Sequence, residues 1–152
     1  KEEWIFFSNR GTVEIDNVLS YGKGSSSVKI VANGASNPGI KQERIGIGVV
    51  KPGDNIQISF DHIGSIEGEG GLVNLLLFIE RAEGEQGDPI THIFEPRPSL
   101  SKTWSNFNKS FVIPDNAIVT GGISILIESV CGGAPGCMVN ANIDNVTISI
   151  NP

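Results

Sequence analysis

Asn142-Ile143-Asp144-Asn145-Val146-Thr147-Ile148-Ser149-Ile150, near the carboxyl end, decides how the rest of the chain is read. Val146, Ile148 and Ile150 share one face while Thr147 and Ser149 take the other, the period of two of a half-buried β-strand. Asp144 falls on the apolar side of that pattern. A carboxylate there is costly to bury unless it meets a cation or several donors. The stretches upstream are therefore expected to pair with this strand and to supply the partner of Asp144.

Bulk properties agree with a β protein. The chain has 152 residues, enough for one domain (1–152) with a sizeable core. Its 19 Gly and 8 Pro punctuate runs of Val and Ile, and no segment keeps helical apolar spacing for three turns. The formal charge of −6 argues against binding nucleic acid or anionic lipid by bulk attraction. No run approaches the roughly 18 apolar residues that span a membrane. The first residue is Lys and no signal peptide is visible, as in a piece of a longer or processed protein. Cys131 and Cys137 flank a turn-rich loop that a disulfide can close, which would imply an extracellular setting; two unrelated thiols are the alternative.

Working back to the amino end, Trp4 to Phe7 opens the chain, and Thr12 to Asp16 alternates like a strand with Val13 and Ile15 inward. The glycine loop Tyr21 to Ser27 feeds a strand beginning at Val28. Ile40 to Val50 reads as one strand, with Ile45, Ile47 and Val49 on the packed face. Its other face carries Gln42, Arg44, Gly46 and Gly48, polar and then bare. Asn55 to His62 points Ile56, Ile58 and Phe60 inward, and Gly64 to Gly71 reads as a mobile connection. Leu72 to Arg81 is nearly continuous apolar sequence, which suits a central strand covered on both faces. Residues 82–98 form a long polar loop with His92 and Phe94 embedded, and Trp104, Phe107 and Phe111 punctuate the next strand. About nine strands at even spacing predict a β-sandwich or jelly roll of two antiparallel sheets.

Catalytic signatures are thin. There is no G-x-S-x-G elbow, and neither His62 nor His92 sits in a relay sequence. Asp61, Glu80 and Glu128 are the carboxylates that would serve a glycosidase. The Gly22-Lys23-Gly24-Ser25 run has the wrong spacing for a phosphate loop. A calcium site is better supplied: Asp144 offers hard oxygen, the loop at 21–27 offers carbonyls, and Glu2 or Glu3 adds a carboxylate. The alternative is that Asp144 caps a turn through the backbone.

Four segments carry a resemblance. Gly24-Ser25-Ser26-Ser27-Val28-Lys29-Ile30, Val50-Lys51-Pro52-Gly53-Asp54 through Ser59-Phe60, Trp104 with Phe107, Phe111 and Ile113-Pro114, and Ile143-Asp144-Asn145-Val146 stand in order. Together the set resembles the calcium-containing β-sandwich carbohydrate-binding modules of families 4, 16 and 22, a galactose-binding-like jelly roll. The "N-x-x-F-E" run that usually precedes the first Trp is absent or trimmed. The resemblance implies a non-catalytic, secreted, monomeric module that binds a polysaccharide and is joined to a polysaccharide-degrading enzyme. It implies structural Ca²⁺ held by Asp144 and Glu2 with backbone carbonyls near Lys23 and Ser26. It places sugar on Gln42, Arg44, Asn74 and Glu128, with Phe78 on the same face and Tyr21, His92 and Phe94 at its rim, while both tryptophans go to the core. Arg44, Arg81, Lys102 or Lys109 would recruit a uronate or sulfate. An adhesin or matrix domain of this fold, and a small lyase or hydrolase, are the competing readings.

Overall fold

A computed structural model describes residues 3–22 and 24–152. Among these there are ten strands and no helix. They are β1 (Trp4–Phe7), β2 (Thr12–Asp16), β3 (Ser27–Asn33), β4 (Gly39–Ile45), β5 (Asn55–Glu67), β6 (Leu72–Ile79), β7 (Ile90–Ile93), β8 (Ser105–Val112), β9 (Ile123–Val130) and β10 (Met138–Ile150). Two five-stranded antiparallel sheets result, ordered β1-β4-β9-β6-β7 and β2-β3-β10-β5-β8. This is a β-sandwich jelly roll. For brevity they are the first and second sheets.

The core lies between them and follows from period-two alternation. Ile56, Ile58 and Phe60 of β5 meet Leu75 and Leu77 of β6 and Ile123, Ile125 and Ile127 of β9, all fully buried. Each such side chain taken from water contributes about 1.5–3 kcal/mol before entropy is counted. The terminal strand is the centre of the second sheet, paired with β3 on one side and β5 on the other.

Two bulges correct the sequence reading. In β10 the register with β5 shifts between Asp144 and Thr147, and Asn145 takes φ 52°. Val139, Ala141 and Ile143 face the core before it; Val146, Ile148 and Ile150 pack inward after it. Asp144 therefore follows Ile143 onto the outer side and is not on the apolar face. In β4 the register with β9 shifts between Gln42 and Ile45, and Arg44 takes φ 54°. An extra residue in one strand inverts which side chains face in.

Other departures have local causes. β4 stops at Ile45, and residues 46–49 are a tight turn closed by Val49 and Val50 N–H donating to the Gly46 carbonyl, each 2.9 Å. Ile47 and Val49 are consequently exposed, at 57% and 62%. β5 continues through 64–67 instead of ending in a loop, and residues 90–93 of the long loop form an edge strand. β6 is not covered on both faces: Leu72, Asn74, Leu76 and Phe78 alternate outward, half-buried. Ile15 points as expected but sits at a sheet edge and stays 51% exposed.

Candidate functional site

Register across the first sheet decides which side chains share its outer face. Glu128 lies opposite both Gly39 and Asn74, Leu126 opposite Lys41 and Leu76, and Ser124 opposite Phe78. Asn74, Phe78 and Glu128 thus share one face with Leu76 and Leu126, as the alternation of their strands predicts, and Lys41 joins them unforeseen. The bare position on this floor is Gly39: a Cβ there would press on the Ile127 carbonyl and the Glu128 Cβ. Gly46 and Gly48 do not supply it.

The polar groups on this face are pre-ordered. Asn74 Nδ2 donates to Glu128 Oε1 at 3.2 Å, and Arg97 Nε donates to Asn74 Oδ1 at 2.7 Å. Arg97 also pairs with Glu95 at 3.4 Å. Lys41 pairs with Glu43 at 3.2 Å, and its ammonium stands 5.0 Å from the Phe78 ring centroid. A cavity of about 180 Å³ is lined by Phe7, Lys41, Phe78, Leu126, Glu128 and two asparagines, Asn9 and Asn37. The same Asn9, Asn37 and Glu128 line a larger cavity of about 530 Å³ toward Arg10 and Ser36. Together they make a trough with an apolar floor at one end and amides, a carboxylate and a guanidinium at the other.

Five predicted sugar-site residues go elsewhere. Gln42 precedes the β4 bulge and faces inward beside Trp4 and Ile125, 8% exposed. Arg44 is fastened at the far end of β4, donating to the Arg81 carbonyl at 2.9 Å and lying 3.9 Å from Glu80. His92 lies opposite Leu77 and stacks on Phe111 of the other sheet at 4.3 Å, so it fills the sandwich edge. Phe94 is 2% exposed. Tyr21 is on the second sheet's side, its ring 5.3 Å from Trp104. Trp4 packs against the core as expected. The bulge put Gln42 and Arg44 on the wrong phase, and so hid Lys41. Nothing local marks Arg97 or Asn37.

Cys131 and Cys137 form a disulfide, and Cys131 exchanges backbone hydrogen bonds with Ser36. At the proposed metal position, Asp144 accepts the Tyr21 N–H at 2.9 Å and the Asn145 N–H at 2.8 Å. Asn145 Nδ2 in turn donates to the Tyr21 carbonyl and to Asp61. Asp144 and Ser26 line one cavity of about 250 Å³. Glu2 and Lys23 lie outside the described residues, and among those described no group of three His, Cys, Asp or Glu could hold a metal. The oxygen donors present suit a hard cation in type, and the carboxylate keeps lone pairs beyond its two N–H bonds.

Two five-stranded antiparallel sheets packed as a sandwich are a fold that this chain shares with solved carbohydrate-binding modules. Among solved structures the chain is similar to the CBM22-1 xylan-binding domain from Paenibacillus barcinonensis, at TM-score 0.63 and 16% identity, covering 97% of this chain and 85% of that one. It is similar to a family 4 carbohydrate-binding module at TM-score 0.53 and 15% identity, covering 97% and 86%. It is similar to the CBM22-1–GH10 modules of a Clostridium thermocellum endo-1,4-beta-D-xylanase complexed with xylohexaose, at TM-score 0.58 and 16% identity, covering 98% and 26%. No family model and no curated protein matches the sequence.

Proposed function

We propose that this domain binds a polysaccharide along the outer face of the first sheet, without turnover, and holds an appended polysaccharide-degrading domain at its substrate. The observation that carries the reading is the Arg97–Asn74–Glu128 chain of side chains beside the apolar Phe78, Leu76 and Leu126. Sugar rings present C–H faces that pack on such a floor, and paired hydroxyls that amides and carboxylates bind in fixed geometry. Binding without hydrolysis is favoured because the carboxylates of this face already have partners: Glu128 with Asn74, Glu43 with Lys41 and Glu80 with Arg44. A glycosidase needs two carboxyl groups set for acid and base or nucleophile work across one bond. The xylan-binding and xylanase-linked structures of the same fold support this reading, and the disulfide supports an extracellular setting.

The test is affinity electrophoresis through gels containing neutral or uronate-bearing polysaccharides, with reducing ends and unsaturated products assayed in parallel. Retardation with no new products is the expected result. Product release would make the domain an enzyme, and mobility unchanged in every gel would remove the glycan reading.

The same proposal includes structural Ca²⁺ beside Asp144 and Ser26, where an ion would tie β10 to the loop preceding β3. Chelation with EDTA, or Asp144→Ala, is then expected to lower Tm, and Ca²⁺ should restore it after chelation. Identical melting curves with and without chelator would dispose of the metal.

A further inference from the structure

We infer that the larger cavity beside Glu128 is a subsite for an acidic substituent of the bound glycan, a uronate carboxylate, and that Arg10 grips it. The inference rests on the reading that the outer face of the first sheet holds polysaccharide. Its own support is the Arg10 end of that cavity.

Cations elsewhere on or near the trough are already engaged. Lys41, Arg44 and Arg97 each have a carboxylate partner. Lys109 stands over Phe107 on β8, in the other sheet. Arg10 lines the cavity, is exposed, and among the described residues makes no ion pair or side-chain hydrogen bond. Beside it, the Asn37 carboxamide has no side-chain partner either, although its backbone is bonded to Asn9.

The backbone holds Arg10 in place at a cost. Residues 8–11 form a turn closed by the Gly11 N–H on the Ser8 carbonyl at 2.7 Å. Both central residues are left-handed, Asn9 at φ 37° and Arg10 at φ 69°. Asn suits that region, but a residue with a long side chain there costs about 1–2 kcal/mol relative to glycine. The turn is fixed in position: a Cβ on Gly11 would collide with the Pro38 ring and the Val31 carbonyl. The Asn37 N–H also donates to the Asn9 carbonyl at 3.1 Å. The backbone at Arg10 is strained and anchored while its guanidinium is unpaired among the described residues and lines the cavity, an arrangement that suits a planar anion bound through two parallel N–H bonds.

Glu128 is the carboxylate facing the same cavity. It repels an acid set beside it, so the uronate goes to the Arg10 end and hydroxyls go to Glu128. The net charge of −6 is screened beyond about 8 Å at physiological salt and does not prevent this.

The experiment compares retention on 4-O-methylglucuronoxylan with retention on the same polymer after carboxyl reduction, for wild type, Arg10→Gly and Arg10→Lys. Wild type should bind the uronate form about two- to fivefold more tightly, as one exposed bidentate ion pair allows. Arg10→Gly should abolish that difference, keep binding to the reduced polymer and leave Tm unchanged or higher. Arg10→Lys should keep only part of the preference. Equal wild-type binding to both forms, or a preference that survives in Arg10→Gly, would overturn the inference while leaving the glycan face intact. Equal retention on dextran sulfate would overturn the carboxylate assignment. Retention on neither xylan would bring down the underlying reading along with it.

Discussion

Glu128 and Gln42 lie on adjacent strands, yet their side chains leave the sheet in opposite directions, and their substitutions should separate binding from stability. Glu128 is half-buried on the outer face, held by Asn74. On the proposed reading, Glu128→Ala should remove charge-assisted hydrogen bonds to sugar worth about 1.5–3 kcal/mol, or roughly a 10- to 100-fold loss of affinity. Its Tm should scarcely move. Gln42, 8% exposed, shares the core side with Ile40 and Trp4. Gln42→Ala should cost about 1–3 kcal/mol of stability in a denaturant titration and leave retention on polysaccharide unchanged. Reversal of either pattern would mean that the face has been assigned the wrong way round.

At the scale of the element, the strands were legible wherever the period of two ran unbroken. β5 from Ile56 to Phe60 and β9 read directly from alternation. Asn74, Phe78 and Glu128 were placed on one face for the same reason. The errors at Gln42, Arg44 and Asp144 share one cause, a bulge whose extra residue is not a glycine and so leaves no compositional mark. His92 was unreadable for a different reason: its partner Phe111 is on the opposite sheet, and that contact exists only after folding. The disulfide, by contrast, needed only a short loop. It closes a sequence separation of six beside the bridge from Ser36 to Cys131. A loop this short contributes about 2 kcal/mol through the unfolded state. The Cys131→Ser, Cys137→Ser double variant should therefore melt about 4–8 °C lower, as read by calorimetry.

For the whole molecule, stability should fall toward acid in two separate windows. His62 is 3% exposed with Nδ1 unpartnered; burial holds its pKa below 6.5, and the neighbouring Asp61 charge opposes that only in part. The unfolded chain takes up this proton near pH 6.5 while the folded chain resists it. Stability is therefore unaffected above that pH and declines below it, by at most about 1.4 kcal/mol per unit. Asp16 and Asp54 titrate below 3.8, lowered chiefly by the Val18 N–H and by Asn151 respectively. What they contribute is present above pH 3.8 and disappears as the pH falls through their folded values. Tm measured from pH 8 to 3 should show both declines, and His62→Leu should erase only the first. A profile flat from pH 6.5 to 5 in the native protein would contradict the buried, neutral imidazole. The kink at Asn145 has a consequence for how the gene tolerates change. Losing that one codon would slide the last five residues of β10, Val146 to Ile150, by a single step, turning their greasy side outward and their hydroxyls into the interior. An exchange at the same codon loses the side-chain bonds to Tyr21 and Asp61 but keeps that phase, so in-frame deletions here should be purged far more strictly than substitutions.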